Sequence, residues 1–158
     1  MRKIVLPLRK LGCVLIMALL AGATVCAADN PFPWTASDLV SAQQLNAQLS
    51  EVNAGKIILI HVGFGVMYRM GHIPGSKYPG PASKPEGLAA LQKLVANLPR
   101  HHEIIIYCGC CPWDHCPNIR PAFIALKEMG FKNLKVLDIP QRLGDDWTAK
   151  GYPIVKGE

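Results

Sequence analysis

Ile104-Ile-Ile-Tyr-Cys108-Gly-Cys110-Cys111-Pro-Trp-Asp-His115-Cys116-Pro-Asn-Ile-Arg120-Pro decides how the rest of the chain is read. A run of β-branched and aromatic residues, which favour strands, leads straight into a loop with four cysteines, one histidine and one arginine. Ala122-Phe-Ile-Ala-Leu-Lys-Glu-Met-Gly130 follows. It is apolar at 122, 123, 125, 126 and 129, which is helical spacing, and Gly130 is placed to end it. The order is strand, reactive loop, helix. A loop that closes onto a helix N-terminus offers backbone N–H groups and the positive end of a dipole. A cysteine held there tends to ionise, and the thiolate is the reactive form.

Outward from that loop, strand and helix patterns alternate. Residues 56–62, Lys-Ile-Ile-Leu-Ile-His-Val, are apolar on both faces, as a buried parallel strand requires, and residues 133–137 give another strand. Thr35-Ala-Ser-Asp38 supplies cap candidates for a helix over 39–49. Residues 63–70 read as a loop, Gly71-His-Ile-Pro-Gly75 as a compact turn, and 76–78 as a short strand. Residues 86–98 form a helical pattern stopped by Pro99. This alternation predicts one α/β domain with a mainly parallel central sheet flanked by helices. There is no internal repeat and no sign of a second domain.

The N-terminus stands apart. Arg2, Lys3, Arg9 and Lys10 precede an apolar run over 11–25, and Val25-Cys-Ala27 offers small residues for cleavage. Residues 1–27 therefore read as a secretory signal peptide, with the domain over 28–158. The apolar run is short for a membrane span, so no stable membrane association is expected after cleavage. The segment contains four of the chain's 17 basic residues and none of its 11 acidic ones, leaving 13 against 11, a net +2. The basic character thus belongs mostly to the signal segment and is no argument for nucleic acid binding. Cys13 and Cys26 leave with it, and the other four cysteines all lie between 108 and 116. A disulfide framework would spread them along the chain. Their clustering points to chemistry, metal binding or a local redox pair, in an oxidising compartment such as a bacterial periplasm.

Several landmarks together resemble a rhodanese domain. In order they are Leu59-Ile-His-Val, Gly71-His-Ile-Pro-Gly-Ser76, Ile105-Ile-Tyr-Cys108, Ala125-Leu-Lys-Glu-Met-Gly-Phe131, Val136-Leu, and Trp147 with Gly151-Tyr-Pro. They span about 100 residues, and the Gly-His-Ile-Pro-Gly turn with the strand-ending Tyr-Cys is the most specific pair. The resemblance implies a small α/β domain in which a strand-end cysteine accepts sulfane sulfur as a persulfide, without a cofactor. Two departures stand out. The family's first strand usually ends in Asp-Val-Arg, whereas here it reads His61-Val62-Gly63. The family's arginine usually lies within about five residues of the cysteine, whereas here 109–119 intervene before Arg120.

On this resemblance Cys108 is the expected nucleophile, with Cys111, Cys116 and Cys110 as alternatives. Arg120 is the expected holder of an anionic donor through its paired N–H groups. His115 is a candidate base or ligand, or a solvent-facing loop residue. Trp113 either walls a pocket or packs under the loop. His72 is expected to be a structural hydrogen-bonding residue, Trp147 and Tyr152 to be core, and His61 has no evident role. The expected partners are a small anionic sulfur donor and a thiol acceptor. Two other functions remain open. One is thiol–disulfide exchange through Cys108 and Cys111, or Cys111 and Cys116. The other is a Cu(I) or Zn site built from Cys108, Cys110, Cys111, Cys116 and His115.

Overall fold

The computed structural model describes residues 32–112 and 115–157. The expected signal peptide, Trp113 and Asp114 lie outside the described residues. Four strands form one sheet: β1 (Leu39–Ser41), β2 (Ile57–His61), β3 (Glu103–Tyr107) and β4 (Leu134–Asp138). They lie in the order β1-β4-β3-β2, and all pairings are parallel. The α/β expectation holds, and the parallel sheet is covered on both faces, as parallel sheets require. No helix among the described residues is long and apolar enough to cross a membrane.

The period-two geometry of β3 divides the core. Ile104, Ile106 and Cys108 face a cluster with Leu91, Val95, Ile119, Phe123 and Leu126. These come from α4 (Pro85–Val95) and α5 (Ile119–Glu128). Ile105 and Tyr107 face a second cluster with Leu45, Val52, Leu59, Ile73 and Trp147, beneath α1 (Ala42–Ala47) and α2 (Leu49–Asn53). The three isoleucines are fully buried, each contributing about 2 kcal/mol of apolar transfer. Trp147 is fully buried, as expected, whereas Tyr152 is half-buried against the second cluster.

Three local readings need correction. Residues 39–41 are strand β1, because the helix starts only where Ser41 caps it. Its Oγ accepts from Gln44 N at 3.2 Å while its own N–H donates to Gln44 Oε1 at 2.9 Å. The Thr35–Asp38 signal caps only a 3-10 turn, Ala36–Asp38. Residues 65–70, read as loop, form α3 (Gly65–Met70), anchored by Tyr68, whose hydroxyl donates to the Ser76 carbonyl at 3.0 Å. The short strand over 76–78 is a single parallel bridge between Lys77 and Ile60.

Candidate active site

In open α/β sheets, ligands bind beyond the carboxyl ends of the strands. Here the end of β3 is Tyr107, followed by Cys108, and it lies beside His61 at the end of β2. Tyr107 and Cys108 point to opposite faces of the sheet. The Tyr107 hydroxyl accepts from Ile73 N at 3.0 Å and donates to Ser76 Oγ at 3.0 Å, while Ser76 Oγ donates to the Ile73 carbonyl at 2.8 Å. The Gly71-His-Ile-Pro-Gly turn is thereby tied to the strand that presents the cysteine. His72 has the expected structural role: its Nδ1 lies 2.9 Å from the Tyr68 carbonyl and its ring stacks on Tyr68 at 3.8 Å.

On the other face, Cys108 meets two more sulfurs. The Sγ atoms of Cys108, Cys110 and Cys116 all lie within 4.8 Å of one another, and Cys108 and Cys110 are 3.0 Å apart. Gly109 makes this possible. Its φ of +73° reverses the chain between the two cysteines, and a Cβ there would sit 2.8 Å from Leu143 Cβ. Cys111 touches Cys110 at 3.3 Å but is not one of the three. His115 is exposed and also outside that group. The structure thus gathers three of the five soft donors the sequence offers.

The three thiols differ in ionisation. Cys116 is held well below the usual thiol range, first by hydrogen bonds from the Cys108 and Cys110 thiols. The Asn118 and Ile119 N–H groups, at the start of α5, add to this against the opposing effect of burial. The Cys108 thiol is drawn down by its bond to Cys110, but the bond to Cys116 and burial outweigh that and push it up to about 12. Cys110 is also raised, chiefly through Cys108 and then Cys116, and burial raises Cys111 to about 12. The three sulfurs thus titrate as one hydrogen-bonded cluster, and the Cys116 side of it favours the negative charge.

Two residues with no assigned role from the sequence brace the cluster. Asn118 is fully buried; its Nδ2 donates to Cys108 Sγ at 3.6 Å and its Oδ1 accepts from Ser83 N at 3.0 Å. It precedes α5 as a cap-type residue, yet its side chain turns inward and caps nothing. His61 Nδ1 accepts the Gly63 N–H at 3.3 Å, which assigns the ring proton to Nε2, and the ring also bonds the Cys108 backbone. Burial, then the nearby His72, lowers its pKa to about 4, so it stands neutral between Gly63 and Cys108.

Cys108, Gly109 and Cys110 open onto a cleft of about 510 Å³, lined also by His61, Met67, Met70, Arg142 and Lys156. Cys116 does not line it. Arg120 falls in the first turn of α5, exposed, and is not among the lining residues. The cationic side chains along the cleft come from distant segments: Arg142, paired with Asp145 at 2.6 Å in α6 (Leu143–Asp146) or just before it, and Lys156 near the C-terminus. Neither carries a sequence signal that would mark it.

No protein-family profile and no curated protein matches the chain in sequence. Solved structures do match it. The rhodanese-like domain of the Alr3790 protein from Anabaena sp. aligns at a TM-score of 0.54 and 20% identity, covering 75% of this chain and 79% of that one. The BH2092 protein from Bacillus halodurans aligns at 0.58 and 21%, covering 76% and 77%. An EanB variant holding a cysteine persulfide, in a tetrahedral intermediate state with ergothioneine, aligns at 0.55 and 22%, covering 74% of this chain and 27% of that one. The chain has a rhodanese-like single-domain fold, as its landmarks implied.

Proposed function

We propose that this chain is an exported sulfurtransferase. A cysteine of the cluster takes sulfane sulfur from a small anionic donor such as thiosulfate and passes it to a thiol. One observation carries this reading: in a rhodanese-like fold, the strand-end Cys108 opens onto a cleft while its sulfur lies within 4.8 Å of Cys110 and Cys116. The EanB structure, whose cysteine bears a persulfide on a similar fold, supports it.

The chemistry needs a thiolate at Cys108. The Cys116 thiolate accepts the Cys108 proton through their hydrogen bond, and the cluster keeps a single negative charge. Cys108 then attacks the outer sulfur of thiosulfate. A new S–S bond forms, the donor's S–S bond breaks, and sulfite leaves with the bonding pair. Cys108 retains the persulfide anion. A second thiolate attacks the outer persulfide sulfur and carries it away, and Cys108 returns to its starting state. Arg142 and Lys156, which line the cleft, offer charge to the donor there.

Mass spectrometry of the reduced protein before and after thiosulfate tests the reading. A gain of one sulfur, absent from Cys108→Ser, is expected. No adduct, with loss of two hydrogens on mild oxidation, would replace sulfur transfer with simple thiol–disulfide exchange.

A further inference from the structure

A sulfur carrier needs one cysteine, and the cleft shows why the others are not interchangeable with it. Cys108 and Cys110 line it; Cys116 does not. Cys116 is, like Cys108, buried, with its sulfur within 4.8 Å of Cys108 Sγ and at the start of α5. A disulfide needs about 2.05 Å between sulfurs, so a side-chain rotation and a small shift of the loop separate contact from bond. An incoming thiol that enters through the cleft meets the outer sulfur of a Cys108 persulfide first, since Cys108 lines it. Cys116 is placed to reach the inner one.

The geometry points to Cys116 as a resolving cysteine: it attacks the inner sulfur of the Cys108 persulfide, closes a Cys108–Cys116 disulfide and releases the transferred sulfur as sulfide. This deepens and rests on the sulfurtransferase reading. Cys116, protonated when Cys108 ionised, first returns that proton to the outer persulfide sulfur; its thiolate then supplies the electron pair of the new S–S bond, the bond from Cys108 to the outer sulfur breaks, and that sulfur leaves as hydrosulfide. Two cysteine sulfurs are oxidised by two electrons in total, and the sulfane sulfur is reduced to sulfide. An external dithiol, by two thiol–disulfide exchanges, returns both cysteines to thiols and leaves as a disulfide. The acceptor class that follows is a dithiol, and the product is sulfide.

Attack at the inner sulfur suits Cys116, whose thiol is drawn down by the Cys108 and Cys110 thiols and by the Asn118 and Ile119 N–H groups at the start of α5. The Cys110 thiol, although 3.0 Å from Cys108, is pushed up, chiefly by its bonds to Cys108 and Cys116. It also faces the cleft, where the outer sulfur would stand between it and the inner one.

A single-turnover experiment separates the two readings. The purified, fully reduced protein, freed of external thiol, receives thiosulfate; sulfite and sulfide are then measured. The loop peptide is fragmented after its free thiols are alkylated. One equivalent each of sulfite and sulfide is expected, at a rate per protein that does not change with protein concentration, together with a Cys108–Cys116 cross-link. In Cys116→Ser the persulfide should persist, and sulfide should appear only when dithiothreitol is added. Sulfite without sulfide from the wild-type protein would overturn the resolving step and leave sulfur transfer standing. Sulfide with a Cys108–Cys110 cross-link, or undiminished sulfide from Cys116→Ser, would also overturn it. Neither sulfite nor sulfide would remove both readings. The wild-type cross-link decides even if the variant does not fold.

Discussion

Gly63→Ala is the sharpest test of where the Cys108 sulfur sits. The added Cβ would lie 2.7 Å from Cys108 Sγ, 2.9 Å from His61 Cε1 and 3.3 Å from the Cys108 carbonyl oxygen. Non-bonded carbon contacts sit near 3.5–4.0 Å, so something must give by roughly 1 Å. His61 cannot move easily, because it is buried and bonded to both Gly63 N–H and the Cys108 backbone. The sulfur is hemmed in by Cys110 at 3.0 Å. Overpacking of this kind costs about 1–3 kcal/mol, which at this domain size lowers Tm by roughly 3–15 °C. A reacting atom displaced by about 1 Å can cost about a hundredfold in rate. Circular dichroism melting and single-turnover sulfite release measure the two effects. Gly144→Ala is the stability control: a Cβ there meets nothing within 4 Å, and Tm should hold or rise. Wild-type melting and wild-type turnover in Gly63→Ala would show that the sulfur does not rest against residue 63, and the site geometry would need redrawing.

Other perturbations read other parts of the site. Tyr107→Phe leaves the buried Ile73 N–H without its acceptor and should cost about 1–3 kcal/mol in urea unfolding; a loss under about 0.5 kcal/mol would mean that the clasp on the turn is not needed. His61 has a folded pKa near 4 against an ordinary 6.5, so on acidification the unfolded chain takes up its proton first. That stability is complete above about pH 6.5 and falls away towards pH 4, by about 3 kcal/mol in all. Urea unfolding at pH 7 and pH 4.5 should show it in the wild type and lose most of it in His61→Gln; equal pH slopes in the two would argue against a buried neutral histidine. Arg142→Ala should raise KM for thiosulfate about threefold, the scale of an exposed charge contact, and more than Arg120→Ala does; a larger effect at Arg120 would put the donor anion on the helix side of the loop.

Much of this was legible in the sequence, for identifiable reasons. β3 is an unbroken apolar run ending in Tyr-Cys, and the α5 pattern follows it, so strand, loop and helix could be read locally. The four loop cysteines were visible as a cluster, but not which of them meet. Spacing alone suggests a Cys108–Cys111 pair, whereas the left-handed turn at Gly109 folds Cys110 back instead. Strand β1 was hidden because three residues are too few to establish a period of two ahead of a helical pattern. The α3 helix carries no start signal in the sequence, since it begins at Phe64-Gly65 without a side-chain cap. Asn118, Arg142 and Lys156 were invisible for a different reason. Their relevance depends on contacts across the fold, and a buried asparagine that caps nothing looks in sequence like an ordinary helix cap.

The two most specific landmarks, Gly71-His-Ile-Pro-Gly75 and Tyr107-Cys108, are parts of one physical unit. Because side chains alternate along a strand, a residue that anchors the turn on one face must be followed by one that faces the opposite layer. Tyr107 anchors the turn through Ile73 and Ser76. Cys108 is thereby committed to the α4–α5 side, where Cys116 and Asn118 wait at the helix start. A slip of one residue in the register of β3 against β2 would turn every β3 side chain to the other face. It would bury the cysteine beneath the turn and push the tyrosine towards the sulfurs. The hydroxyl clasp opposes that slip, since it leaves Ile73 N–H satisfied in one register only. In this chain the clasp binds the dipeptide to the turn, and the loop after it carries the other three cysteines. That division follows from the geometry: the clasp fixes where the first sulfur stands, and the loop is left to set which other sulfurs stand beside it.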